Sequence, residues 1–496
     1  MKHLCLATSL LALFSAAPLA AEPLRLAHEL GYGGAESLDP ISPNRFYPLT
    51  QLLYSRLVRQ DEAGAIVPDL ATEWSSSADA TVWTFTLRPG VTFHNGDTFT
   101  ADDVVFSLMR AVDPTIDSPV RAGLDLIKSV RAVDPGTVEV TLKSAHADFP
   151  VLLADYRVRI LDATSCNNDL TKLCENGIGT GPFKLVELDA VGTTSLIRFD
   201  GYWAGPAGVD AVEVIAIADQ QAQVAALQAG QIDMVLRVDR QALALFAENP
   251  ACTAQSVTTG GWVGLAMRAD TAPFTDARVR RALRIFADRD AMGKLVFGEG
   301  GYTVTCDNPV WAGDQYRADL TCPADIASAI SLLAEAGYPN GIDVKLYVSD
   351  IAAGAMRLAE VYQAQAKAAG INVEIVSTPS DGYWNDVWMK EGFVATTWSQ
   401  RPADQILNEA YRSTAAWNET FWQDAGFDAL LDKARQELSL EGRTATYVAA
   451  QTQLFDEGGT FIPFHINETR ILSSRLSGLP AVEEFTIRYE DIQKAE

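Results

Sequence analysis

The sequence predicts an α/β protein built from more than one domain, and three observations carry that expectation. The chain has 496 residues, enough for several cores of ordinary domain size. Val344–Val348, Ala352–Ala369 and Ile371–Val376 read as strand, helix and strand, the helix closed by Gly370; this implies a right-handed crossover between parallel strands. In Ile66–Arg110, a stretch that alternates apolar and polar residues gives way to a helical pattern.

The elements follow in chain order. Lys2 and His3 precede the apolar run Leu6–Ala17 and the small residues up to Ala21, the layout of a cleaved secretory leader over residues 1–21. The run is too short to span a membrane. Cys5 stands too near the start to be a lipidated cysteine, so the processed chain is expected to begin at Glu22, free in the periplasm and not lipid-anchored. A helix is expected at Tyr47–Leu57. Trp83, Phe85 and Leu87 form one face of a strand, Pro89-Gly90 and Asn95-Gly96 supply turns, and Thr100 with Asp103 forms a capping box opening a helix. Val133, Val138, Val140 and Leu142 flank the turn Asp134-Pro135-Gly136, a hairpin. Gly179-Thr180-Gly181-Pro182 lacks the spacing of a phosphate loop and reads as a turn into the strand Phe183–Leu188. Leu196–Phe199 follows as a further strand. Helices are expected at Gln220–Gly230, at Asp276–Phe297 capped by Thr275, and along Ile326, Ile330 and Leu333 up to Gly337. Val394–Trp398 reads as a strand, after which Pro402 opens a helix with Ile406, Leu407, Ala410 and Tyr411 on its apolar side.

Composition narrows the function. With 39 basic and 64 acidic side chains the formal charge is −25, and no Lys/Arg cluster is present, which argues against nucleic acid or anionic lipid as partner. In an oxidising compartment the close pairs Cys166/Cys174 and Cys306/Cys322 read as local disulfides, with Cys252 left over as a buried thiol. The histidines are scattered singly and no CxxC occurs, so neither a metal site nor a cofactor is expected. No GxSxG, SxxK or HExxH motif is present, and no catalytic residue is assigned.

The run Ile66–Arg110, IVPDLATEWSSSADATVWTFTLRPGVTFHNGDTFTADDVVFSLMR, resembles the signature of the family 5 extracytoplasmic solute-binding proteins, the dipeptide, oligopeptide and nickel receptors of ABC importers. Gly179–Phe183, Gly201-Tyr202-Trp203 and the stretch Pro273–Met292 fit the same family in the same order. The resemblance implies an α/β clamp of the type II periplasmic-binding-protein kind, with two α/β lobes and an extra inserted domain. On this basis residues 22–62, 181–262 and 465–496 make the first domain, 63–180 the inserted second, and 263–464 the third. The first and third domains of the family close on ligand, whereas the second adds bulk and seldom touches it. The implied function is a monomeric receptor that captures a short peptide or small amino-acid-derived solute and delivers it to ABC permease subunits. A non-peptide ligand (an opine, oligosaccharide or metal chelate) is the alternative, and a secreted hydrolase the remote one.

Three segments are candidate ligand contacts by the same resemblance: Tyr32 with Asn44 and Arg45, Trp262, and the stretch containing Trp384, Trp398, Arg401, Asp404, Trp417 and Asn418. Half of the chain's 10 tryptophans fall between Trp384 and Trp422, the density of a ring-lined pocket. Peptide receptors of the family usually carry an acidic run after the corresponding strand. Here Ser399-Gln400-Arg401-Pro402 puts a cation there, which points to a zwitterionic or anionic amino-acid derivative. Arg401 cannot cap the helix, so it requires an anion, from the protein or from the ligand. Asp404 suits the first helical turn for dipole reasons alone.

Overall fold

The computed structural model describes residues 22–29, 32–238, 243, 245, 246, 249–379 and 382–495. The expected leader, residues 1–21, lies outside them. Among the described residues a 12-stranded sheet runs through both lobes. At one end Ile342–Val348 pairs in parallel with Ile371–Ser377, the expected crossover, and Phe393–Trp398 lies beside them. At the other end Leu24–His28 pairs in parallel with Ala211–Ala216, which continues into Thr193–Arg198 and Phe183–Glu187. Two long antiparallel strands join the halves: Cys252–Met267 and Phe464–Ser473. Their register shifts between Thr258 and Trp262, at the Gly260-Gly261 step.

A separate 4-stranded sheet carries the motif-rich segment. In Val82–Leu87 the residues Trp83, Phe85 and Leu87 are buried, as their alternation requires. Thr100 donates its backbone N–H to Asp103 Oδ2 at 2.8 Å, the reciprocal half of the capping box, and the helix Ala101–Val112 covers the sheet. The hairpin Ile127–Asp134 and Thr137–Leu142 completes it. Its core extends to Ile41, Leu57 and Val58, and the first lobe's core takes in Phe106, Leu161 and Cys166, so the inserted unit and the first lobe share packing.

The Gly-Thr-Gly-Pro turn now has a physical reason. A Cβ on Gly179 would lie 2.1 Å from the Leu53 carbonyl oxygen, and one on Gly181 2.5 Å from that of Leu52. Only glycine lets the returning chain pass against the end of the helix Tyr47–Leu53. The crowding coincides with that helix ending at Leu53, short of the expected Leu57.

Three other expectations change. Asp276–Phe297 is two helices, Ala277–Ile285 and Arg289–Phe297, capped by Asp276 and Asp288 rather than by Thr275. The Asp288 carboxylate accepts the Ala291 N–H at 3.0 Å, so a residue read as helix interior starts a new helix. In Ile326–Glu335 the inner face is Ala329 and Leu333, while Ile326 and Ile330 are exposed. The disulfides Cys166–Cys174 and Cys306–Cys322 are formed, and Cys252 is free, half-buried rather than buried. Among the described residues no helix is long and apolar enough to cross a membrane.

Candidate functional site

Where the inserted unit and the third lobe face each other, a cavity of about 740 Å³ opens. That volume is in the range of small-molecule sites. One wall comes from Asp155, Tyr156 and Arg157, the opposite one from Arg401, Glu409 and Trp417, and Trp311 and Phe485 complete it.

Pro402 precedes the helix Ala403–Ala410, whose first amide N–H is donated to Asp314 Oδ2 at 2.9 Å. The cap therefore comes from another segment, and burial pushes the Asp314 carboxyl up to about 6. Arg401 stands just before this helix and Glu409 on its last turn. The Arg401 Nε to Glu409 Oε2 distance is 3.6 Å, too long for a hydrogen bond, and neither atom has a hydrogen-bond partner among the described residues. The anion that Arg401 requires is thus supplied only loosely by the protein.

Asp404 has the opposite surroundings. Arg435 clamps its carboxylate with two bonds of 2.8 Å, Tyr447 donates at 2.8 Å, and His146 Nε2 lies 3.2 Å away. Burial alone would raise this carboxyl, but Arg435 and His146 overcome it and hold it well below the usual range. Beside it the Asp148 carboxylate accepts the Tyr316 hydroxyl at 2.9 Å and pairs with Arg443 at 3.1 Å. His146 and Asp148 thereby tie the inserted unit to the third lobe.

The other sequence candidates divide. Trp417 is half-exposed and lines the cavity. Trp398 packs edge-on against it at 5.9 Å, and Trp262 stacks behind Trp398 at 6.5 Å, both buried. Asn418 is buried in its own loop, donating to the Trp422 carbonyl at 2.7 Å. Trp384 is exposed and packs on Trp388, away from the cavity wall. Arg45 reaches the cavity indirectly, donating to the Tyr156 hydroxyl at 2.5 Å. Tyr32 and Asn44 are not part of its wall.

Sequence reading missed Asp155, Tyr156, Arg157, Trp311, Glu409 and Phe485. Asp155 and Arg157 grip each other through bonds of 2.8 and 2.6 Å, and the Tyr156 ring lies on Phe485 with centroids 4.0 Å apart. No local pattern marks them, because the cavity gathers them from distant segments.

A two-lobed α/β clamp with an extra unit and an interlobe cavity is the architecture of a solute-binding receptor. The chain belongs to the bacterial extracellular solute-binding proteins, family 5, whose model matches residues 65–418. It is 28% identical to heme-binding protein A of Haemophilus influenzae, over 90% of this chain and 87% of that protein. It is 25% identical to the glutathione-binding protein GsiB of Pectobacterium atrosepticum, over 93% of this chain and 92% of that one. The structure of HbpA2 from Haemophilus parasuis superposes with a TM-score of 0.85 at 23% identity, covering 96% of this chain and 100% of the other.

Proposed function

We propose that this family 5 receptor captures a short peptide or small amino-acid-derived solute in the interlobe cavity and presents it to the permease of an ABC importer, without chemical turnover. The observation that carries the reading is the cavity of about 740 Å³ lined by Arg401, Glu409 and Trp417, where the Arg401–Glu409 ion pair is held only loosely, at 3.6 Å. A pair held this loosely leaves both charges available to opposite charges on a solute. The glutathione-binding relative agrees in kind, since glutathione is itself a peptide-like amino-acid conjugate.

Ligand contacts fall to Arg401, Trp417 and Glu409, with Trp398 and Trp262 backing the aromatic wall; Asp404 and Asn418 hold the scaffold. The chain is exported through residues 1–21, released after Ala21, and acts as a monomer. Its domains divide as 22–62 with 181–262 and 465–496, then 63–180, then 263–464; the third has apolar cores of its own, while those of the first two interlock across their boundary.

Native mass spectrometry of protein purified from the periplasm should find such a solute bound. Thermal shift with glutathione, tripeptides and opines should then raise the melting temperature, as RT ln(1 + [L]/Kd) demands. A ligand recovered chemically altered after incubation would replace the receptor with an enzyme.

A further inference from the structure

We infer that the inserted unit takes part in choosing the solute: its Asp155 and Arg157 line one cavity with Arg401 and Glu409 of the third lobe, so that each of the two contributes one charge of each sign, a set suited to a solute carrying both an ammonium and a carboxylate. The inference rests on the receptor reading above and names the head group that the site selects.

Four observations carry it. All four charged side chains line the same cavity. Two charges, Asp155 and Arg157, come from the segment that follows the helix Phe149–Leu153, and two from the third lobe, at either end of the helix Ala403–Ala410. Within each wall the charges are paired, tightly at 2.8 and 2.6 Å for Asp155 with Arg157 and loosely at 3.6 Å for Arg401 with Glu409. The looser pair retains a donor and an acceptor with no partner among the described residues.

The electrostatics agree. Burial pushes the Asp155 carboxyl up, but the hydrogen bond and charge of Arg157, with a contribution from Arg401, carry it below the ordinary value. Burial works against the Arg157 cation too, yet Asp155, with a contribution from Glu409, raises it. Each wall therefore feels the opposite sign on the facing one. A lone anion entering here would meet Asp155 and Glu409, and a lone cation would meet Arg157 and Arg401. A zwitterion can satisfy both signs at once, its carboxylate held between the Arg157 and Arg401 guanidinium groups and its ammonium between the Asp155 and Glu409 carboxylates. The Tyr156 ring, stacked on Phe485 at an interplanar angle of 13°, gives the rest of the solute a flat apolar floor.

Titration calorimetry tests this on the full-length processed protein, with glutathione, trialanine, N-acetyl-trialanine and trialanine amide as probes. The wild type should bind glutathione or trialanine, and blocking either end of trialanine should weaken binding at least tenfold or abolish it. Arg157→Gln should bind the parent solute at least tenfold more weakly and lose the distinction between free acid and amide. Asp155→Asn should lose the distinction between free and acetylated amine. Those shifts in discrimination are readouts that a merely structural pair would not move. Variants that fold, yet bind and discriminate as the wild type does, would overturn the role of the inserted unit and leave the receptor reading intact. Equal binding of free and blocked trialanine would overturn the zwitterion assignment. If native mass spectrometry finds no solute on the periplasmic protein and the wild type binds neither glutathione, trialanine nor an opine, the receptor reading fails first and the inference with it.

Discussion

Arg401 and Asp404 flank the start of one helix and meet opposite surroundings. Asp404 is closed off by Arg435, Tyr447, Asn408 and His146, so Asp404→Ala would strand a partly exposed guanidinium and a buried imidazole. Chemical denaturation of the ligand-free protein should show a loss of about 3–5 kcal/mol. Arg401→Ala removes a side chain whose ion-pair carboxylate, Glu409, stands at 3.6 Å, and the apo melting temperature should hardly change. Its cost should appear in binding, about 2–5 kcal/mol for a charge-assisted contact in a desolvated cleft, and Arg401→Lys should restore little of it because a point charge lacks the planar fork. Equal losses of apo stability and of binding in Arg401→Ala would make that arginine structural. At the same scale, His465 is fully buried, and burial depresses its ring from 6.5 to about 3. As pH falls below 6.5 the unfolded chain takes a proton that the folded one refuses, so stability present at neutral pH is lost towards pH 3. Between pH 7 and pH 5 the wild type should lose about 2 kcal/mol more than His465→Gln, as measured by urea unfolding. Parallel curves would mean that the ring takes up its proton in the fold as readily as in the unfolded chain.

Single elements were legible wherever a local rule sufficed. The capping box at Thr100, the turn at Pro135-Gly136 and the crossover closed by Gly370 need only neighbouring residues. Asp288 was not legible, since an aspartate in a helical pattern reads as an exposed interior position until its side chain is seen taking the Ala291 amide. Ile326 and Ile330 misled for a related reason: periodicity locates a face, but only packing decides which of two faces is covered. The crossing strand Cys252–Met267 offers a test at this scale. A Cβ on Gly260 would lie 2.7 Å from the Cβ of Trp311 and 2.8 Å from the Cγ of Gln400, and both residues line the cavity. Gly260→Ala should therefore cost about 1–3 kcal/mol of stability and weaken ligand binding as the wall shifts. Unchanged affinity, with or without a stability loss, would show that this wall tolerates displacement.

Across the whole molecule, two long strands join the lobes, and the register shift at Gly260-Gly261 is a natural place for rotation. Ligand should select the closed arrangement, so small-angle scattering should show a smaller radius of gyration when the cavity is filled. Closure has a second tie in the His146 and Asp148 contacts to the third lobe. Asp148→Asn, which weakens its pairing with Arg443, should shift the ligand-free protein toward the larger radius. A radius unchanged both by saturating ligand and by this substitution would leave the lobes as one rigid body.

The sequence by itself determined the α/β class, the disulfide pairs, the capping box at Thr100 and the family, because each follows from neighbouring residues or from a long collinear signature. It also put Arg401 and Trp417 among the candidates, one by its misplaced charge at a helix start and the other by the density of tryptophan. Tertiary structure alone decided that Asp404 is sequestered by Arg435 and His146, and that Asp155, Tyr156 and Arg157 form the facing wall. A cavity is a meeting of surfaces from distant segments, and no periodicity within one segment encodes which residues will stand across the gap from it.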